Sequence, residues 1–187
     1  MPLSAFEAAP GIAAPIVPRW PGWRVPELVA HLVNCVDAVA RRIAEPPPAK
    51  AEICLSHYLL SASVDADGIA QWERVPAREA GPAAQKQQLR RAVVELADVL
   101  ADGAEDRLVS TRSGNIRLAD FIVTRCIAGV VYGRDLAKTE LPGADVVPDA
   151  EALKITTKAL LGALTTKAPG KSVEVRVPPI AAVQCVE

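Results

Sequence analysis

A chain of 187 residues that carries 16 prolines can build long helices only where proline is absent, because each proline removes a backbone donor and collides with the preceding turn. The segment Arg117 to Ala137, RLADFIVTRCIAGVVYGRDLA, lies within the longest proline-free stretch. Its Leu118, Phe121, Ile122, Arg125, Ala128, Gly129, Tyr132 and Leu136 recur at the three, four and seven spacing of one helix face. A helix so apolar on one side has to bury that side against other helices. An Arg, a Tyr and two very small residues inside the stripe mark this face as the wall of a site.

The same reading finds helices around it. Over Val25 to Ala44, Leu28, Leu32, Val36, Val39 and Ile43 make one stripe, with Asn34 and Asp37 on the far side. Pro26 and Glu27 suit its first turn, and Pro46-Pro47-Pro48 ends it. His31 and Cys35, four apart, lie along the edge of that stripe. A second helix is expected from Ala51 to about Trp72, with Ile53, Leu55, Tyr58, Leu59 and Ala62 apolar and Asp65-Ala66-Asp67-Gly68 weakening its second half. That acid pair reads as a solvated turn, since no further calcium-ligand pattern follows. Val75 to Pro82 reads as a linker. A third helix, Ala83 to Ala101, has Leu89, Val93, Leu96 and Leu100 as its buried seam and stops at Asp102-Gly103.

Leu108 to Thr111 reads as a short extended piece before a turn, Ser113-Gly114-Asn115, whose Asn115 is placed to cap the central helix. After Leu136 the chain turns through Leu141-Pro142-Gly143. A fifth helix runs from Pro148 to about Lys167, with Leu153, Leu160, Leu161 and Leu164 inward. The period then changes to two: Val173, Val175 and Val177 alternate with Glu174 and Arg176, Pro178-Pro179 interrupts, and Ile180 to Val186 reads as a second strand. Two strands are marginal alone, so this hairpin packs on the helices, pairs between chains, or opens a further domain. Residues 1 to 21, with five prolines, form an extended leader that Trp20 and Trp23 dock. The whole is a mainly α chain, an antiparallel bundle of four helices plus an extra one, with a short C-terminal β-hairpin.

Charge and cysteine usage exclude several functions. Twenty-one Lys and Arg against 22 Asp and Glu leave no field to attract nucleic acid or an acidic membrane surface. No run of 18 apolar residues spans a bilayer, and the N-terminus lacks the pattern of a signal peptide. A cytoplasmic location follows, in which Cys35, Cys54, Cys126 and Cys185, none in a CxxC pair, remain reduced thiols, mostly buried.

In a bundle, sites are built from side chains facing inward on adjacent helices, and the natural constellation joins His31 with positions 128 and 132. The residues Leu28-Val29-Ala30-His31-Leu32-Val33, Leu118-Ala119-Asp120-Phe121, Thr124-Arg125-Cys126 and Gly133-Arg134-Asp135-Leu136 resemble the mycothiol-dependent maleylpyruvate isomerase family of DinB-like bundles. Within it the chain is similar to the actinobacterial branch with a sterol-carrier-like C-terminal domain. The tail from Ala168 through Pro179, with Ala182 to Cys185, resembles the opening of that domain. The resemblance runs from Trp20 onward and implies 1–21 as leader, 22–168 as the bundle and 169–187 as the start of the second domain.

The family resemblance implies a divalent metal, usually zinc, held by a His on the first helix and by a Glu and a His four apart on a later one, with a position left open for water or thiolate. His31 matches the first ligand, the one retained metal ligand. The Glu position falls on Ala128 and the second His on Tyr132. Ala has no donor, and a phenol with a pKa of about 10 is a poor zinc ligand at neutral pH.

The chain is therefore expected to be a divergent, metal-free member, with no catalytic residue assigned and a pocket bounded by His31, Cys35, Arg125, Ala128, Tyr132 and Asp135. No cofactor is expected; zinc or another divalent metal, with mycothiol, enters only if Cys35 and Cys126 or Asp135 rebuild the site. One alternative is a lipid- or sterol-carrier-like protein whose bundle supports the C-terminal domain. A second is an active metal-dependent thiol transferase or isomerase with rebuilt ligands. The expected partners are a small molecule or lipid and a second copy of the chain. His57 reads as a surface residue, Arg125 as ion-paired with Asp120 or Asp135, and Tyr132 as filling the volume that the ligands vacate.

Overall fold

The protein is described by a computed structural model over residues 23–61, 81–101, 103, 106–139 and 146–187. Within these, five helices and two antiparallel hairpins follow in the order α1 (Val25–Ala44), α2 (Leu55–Ser61), α3 (Pro82–Ala101), β1 (Leu108–Thr111), β2 (Gly114–Arg117), α4 (Leu118–Ala137), α5 (Ala150–Lys167), β3 (Val173–Val177) and β4 (Ala181–Cys185). The leader, the second half of the expected second helix with Asp65 and Asp67, the linker up to Ala80 and the turn at Leu141-Pro142-Gly143 lie outside the described residues. The chain divides into two compact units, and the boundary falls inside α4, between Ile127 and Ala128.

The first unit takes α1 as far as Arg41, α3 and the second half of α4. Arg24 opens α1: its carbonyl accepts from the N–H groups of Glu27 and Leu28, and its own N–H donates to the Glu27 carboxylate at 2.6 Å. That is the back half of a capping box, and it explains why Glu27 is buried despite its charge. Leu28, Leu32 and Leu136 pack with Trp23, Val25 and Val29, and Tyr132 and Val146 close over them. Burying a leucine as completely as Leu28 stabilises by about 1.5–3 kcal/mol. On α3 the expected seam is rotated: Val93 is half exposed, and Ala92 and Gln85 are the buried positions. Gln85 donates from its amide to the Pro26 carbonyl at 3.0 Å.

The second unit holds residues 42–61, 106–127 and 149–187 of the described chain. Arg107 closes the end of α1 by donating to the carbonyls of Ile43 and Glu45 at 2.9 and 2.7 Å, a cation where the helix leaves unsatisfied acceptors. The extended piece at Leu108 is one arm of a hairpin: Val109 faces Ile116 and Ser110 faces Asn115 across it. Asn115 is therefore a strand residue and not the cap of α4. Its carbonyl accepts from Glu52 and Ile53 N–H, and its N–H donates to the Glu52 carboxylate. Those bonds hold residues 51–54 extended, so α2 starts at Leu55 and not at Ala51.

Asp149 caps α5, its carboxylate accepting from Glu151 and Ala152 N–H, each at 3.0 Å. On α5 Leu161 is buried as expected, but the other buried positions are Thr156 and Ala163, and Leu160 is 45% exposed. The strands β3 and β4 pair with Val175 opposite Val183, and β4 lies against α5, burying Cys185. The hairpin thus packs on a helix of its own unit. Cys35 and Cys185 are buried, Cys126 is half-buried and Cys54 is exposed; all four are free thiols.

Candidate functional site

In the first unit, His31 on α1 is the centre of a ring of side chains. The Trp23 ring meets it edge-on with centroids 5.9 Å apart, and the Tyr132 ring meets it at 4.8 Å and 80°. One turn further along α1, the Cys35 sulfur lies 3.7 Å from His31 Nε2. The helical period supplies the pairing on α1, where 31 and 35 stack on one face; Trp23 lies just ahead of that helix and Tyr132 on α4. His31, Cys35 and Tyr132 are therefore brought together as the sequence implies. Ala128 sits one turn before Tyr132 and is half-buried, while Asp135, three residues after Tyr132, is 2% exposed.

The other candidates go elsewhere. Arg125 belongs to the second unit, where its Nε donates to the Thr124 hydroxyl at 3.0 Å and its Nη2 to the Tyr58 hydroxyl at 3.3 Å. Its guanidinium carbon lies 4.7 Å from the Phe121 ring centroid. Its contacts are thus neutral, and the expected ion pair with Asp120 or Asp135 is not what holds it. Cys126 points its sulfur at the Ala152 carbonyl on α5, 3.8 Å away. His57 is exposed on α2. Gly129, read as part of the wall, is exposed, and a Cβ there would meet open space.

Two residues at these places were not singled out by sequence. Trp23 reads as an anchor for the leader, and, since it lies just ahead of α1, no helical spacing signals its ring contact with His31. Tyr58 looks like one more apolar position of α2, and no local signal ties it to an arginine 67 residues away.

A zinc centre needs three protein donors around one point. Here His31 and Cys35 offer two, Ala128 offers none, and Tyr132 presents a ring edge. No group of three or more His, Cys, Asp or Glu side chains among the described residues is arranged to hold a metal ion. The donor set present does not fit the three-ligand centre. No helix among the described residues is long and apolar enough to cross a membrane.

Residues 7–137 match the family model of the mycothiol maleylpyruvate isomerase N-terminal domain. Two solved structures share the fold at 15% identity. A crystal structure of the mycothiol-dependent maleylpyruvate isomerase superposes with a TM-score of 0.56, covering 89% of this chain and 67% of that one. A histidine-to-alanine mutant of that isomerase gives 0.59, covering 98% and 72%. No curated protein sequence matches significantly. The likeness establishes the mainly α, DinB-like fold with its small C-terminal strand pair.

Proposed function

Because the chain belongs to the mycothiol maleylpyruvate isomerase N-terminal domain family, we propose that it is a divergent member that keeps the helical scaffold and the pocket around His31 but works without a metal centre. The observation that supports this is the Tyr132 ring, packed T-shaped on the His31 imidazole at 4.8 Å, with the methyl group of Ala128 one helical turn before it on α4. The family pattern places a Glu and a His at those two positions. An imidazole engaged by a thiol and by two aromatic edges suits recognition of a small molecule by shape and by one polar atom. It does not assemble the three donors that polarise a bound water or thiolate.

The direct test restores the ligands. Ala128→Glu combined with Tyr132→His should bind zinc roughly a hundredfold or more tightly than the parent protein, because a missing ligand or its support costs factors of that size. Competition with a chelating dye reads the affinity, and circular dichroism reports whether the variant is folded. A folded double variant that binds zinc no better than the parent overturns the assignment of these positions.

The C-terminal hairpin is proposed to open a sterol-carrier-like domain, supported by its resemblance alone. Displacement of a fluorescent fatty acid from the protein tests it, and absence of binding would refute it.

A further inference from the structure

We propose that Arg125 and Tyr58 form a binding site for the carboxylate of a small, flat organic acid. The site lies wholly within the second unit and is independent of the His31 reading.

The starting point is a half-buried guanidinium with no carboxylate among its partners in the described residues. Arg125 is held by the Thr124 hydroxyl at Nε, the Tyr58 hydroxyl at Nη2 and the Phe121 face. Charges withdrawn from water are ordinarily matched by a counter-charge, because desolvation without one is costly. Here the protein instead spends its contacts on fixing the orientation of the group. Thr124 cannot swing away, since its own hydroxyl donates to the Phe121 carbonyl at 2.6 Å. The Tyr58 ring stands edge-on to Phe121 at 6.2 Å and 83°, so both rings and the guanidinium brace one another.

The donors left over define the ligand. A guanidinium has five N–H groups; two are engaged, which leaves three. The Tyr58 oxygen accepts from Arg125, so its hydroxyl proton is left to donate in the same region. An array of donors with no acceptor, one of them a planar fork, matches a carboxylate. One cation balances one negative charge, which favours a monocarboxylate over a phosphate. The flanking Phe121 and Tyr58 rings favour a flat apolar body behind that carboxylate.

Benzoate is the probe, with benzamide as its neutral counterpart and inorganic phosphate as the competing anion. Titrated into the full chain and followed by amide chemical shifts, benzoate should saturate and perturb α2 and the first half of α4. Arg125→Met should weaken it about tenfold or more, and Tyr58→Phe by a smaller factor, as expected for losing a charged and a neutral partner. The amide spectrum of each variant reports that it is folded. Four results would overturn the proposal: no saturable response to benzoate, benzamide binding equally well, phosphate binding in preference, or undiminished benzoate affinity in folded Arg125→Met.

Discussion

At the scale of single residues, two glycines make opposite demands. Gly170 has φ +143°, and a Cβ there would overlap the carbonyl of Val186. The same segment carries bonds from Val186 N–H to the Ala168 carbonyl and from Ser172 N–H to the Val186 carbonyl, so it cannot simply retreat. Gly170→Ala should cost about 2 kcal/mol or more, seen as a lower urea midpoint; a midpoint unchanged within error would contradict this close approach. Gly129 sits inside α4, exposed and with room for a methyl group. Gly129→Ala should therefore raise stability by about 0.5–1 kcal/mol, and a loss of stability would mean that something packs on that face. His31 and Cys35 were legible as a pair because helical spacing fixes which side chains share a face, and Tyr132 was joined to them only through the family resemblance. The partners of Arg125 were not, because the contact to Tyr58 joins two helices and depends on how they pack.

At the scale of elements, periodicity located the four long helices among the described residues to within a few residues. It was less reliable for which side is buried. Val93 and Leu160 are apolar yet exposed, and Gln85 and Thr156 are polar yet buried. A stripe broad enough to cover half a helix leaves its orientation to tertiary packing. The hairpin β1–β2 was seen only as one arm, since four-residue strands give too short an alternation to register. Asn115 illustrates the competition: the residue type suits a cap, but its backbone is taken by the Glu52 segment and its side-chain oxygen by the Ser110 hydroxyl. The cap that does operate is Asp149, which accepts two N–H groups at the start of α5. Asp149→Ala should cost about 1 kcal/mol, and Asp149→Ser should recover most of it. Equal stability of all three proteins would show that α5 is fixed by packing alone.

At the scale of the whole molecule, the mainly α class and the family were legible because helical stripes and a few local motifs survive at an identity as low as 15% to the solved structures. The site was legible in part, since His31 and Cys35 share one helix face and can be paired without coordinates. The ring contacts of His31 with Trp23 and Tyr132 needed the fold. The central claim is that this chain keeps the scaffold of its family without the metal centre. Elemental analysis of the purified protein, after equilibration with zinc and removal of loosely held ions, tests it most directly. The account predicts zinc far below one per chain and unchanged in His31→Ala. One zinc per chain, lost in His31→Ala, would contradict it.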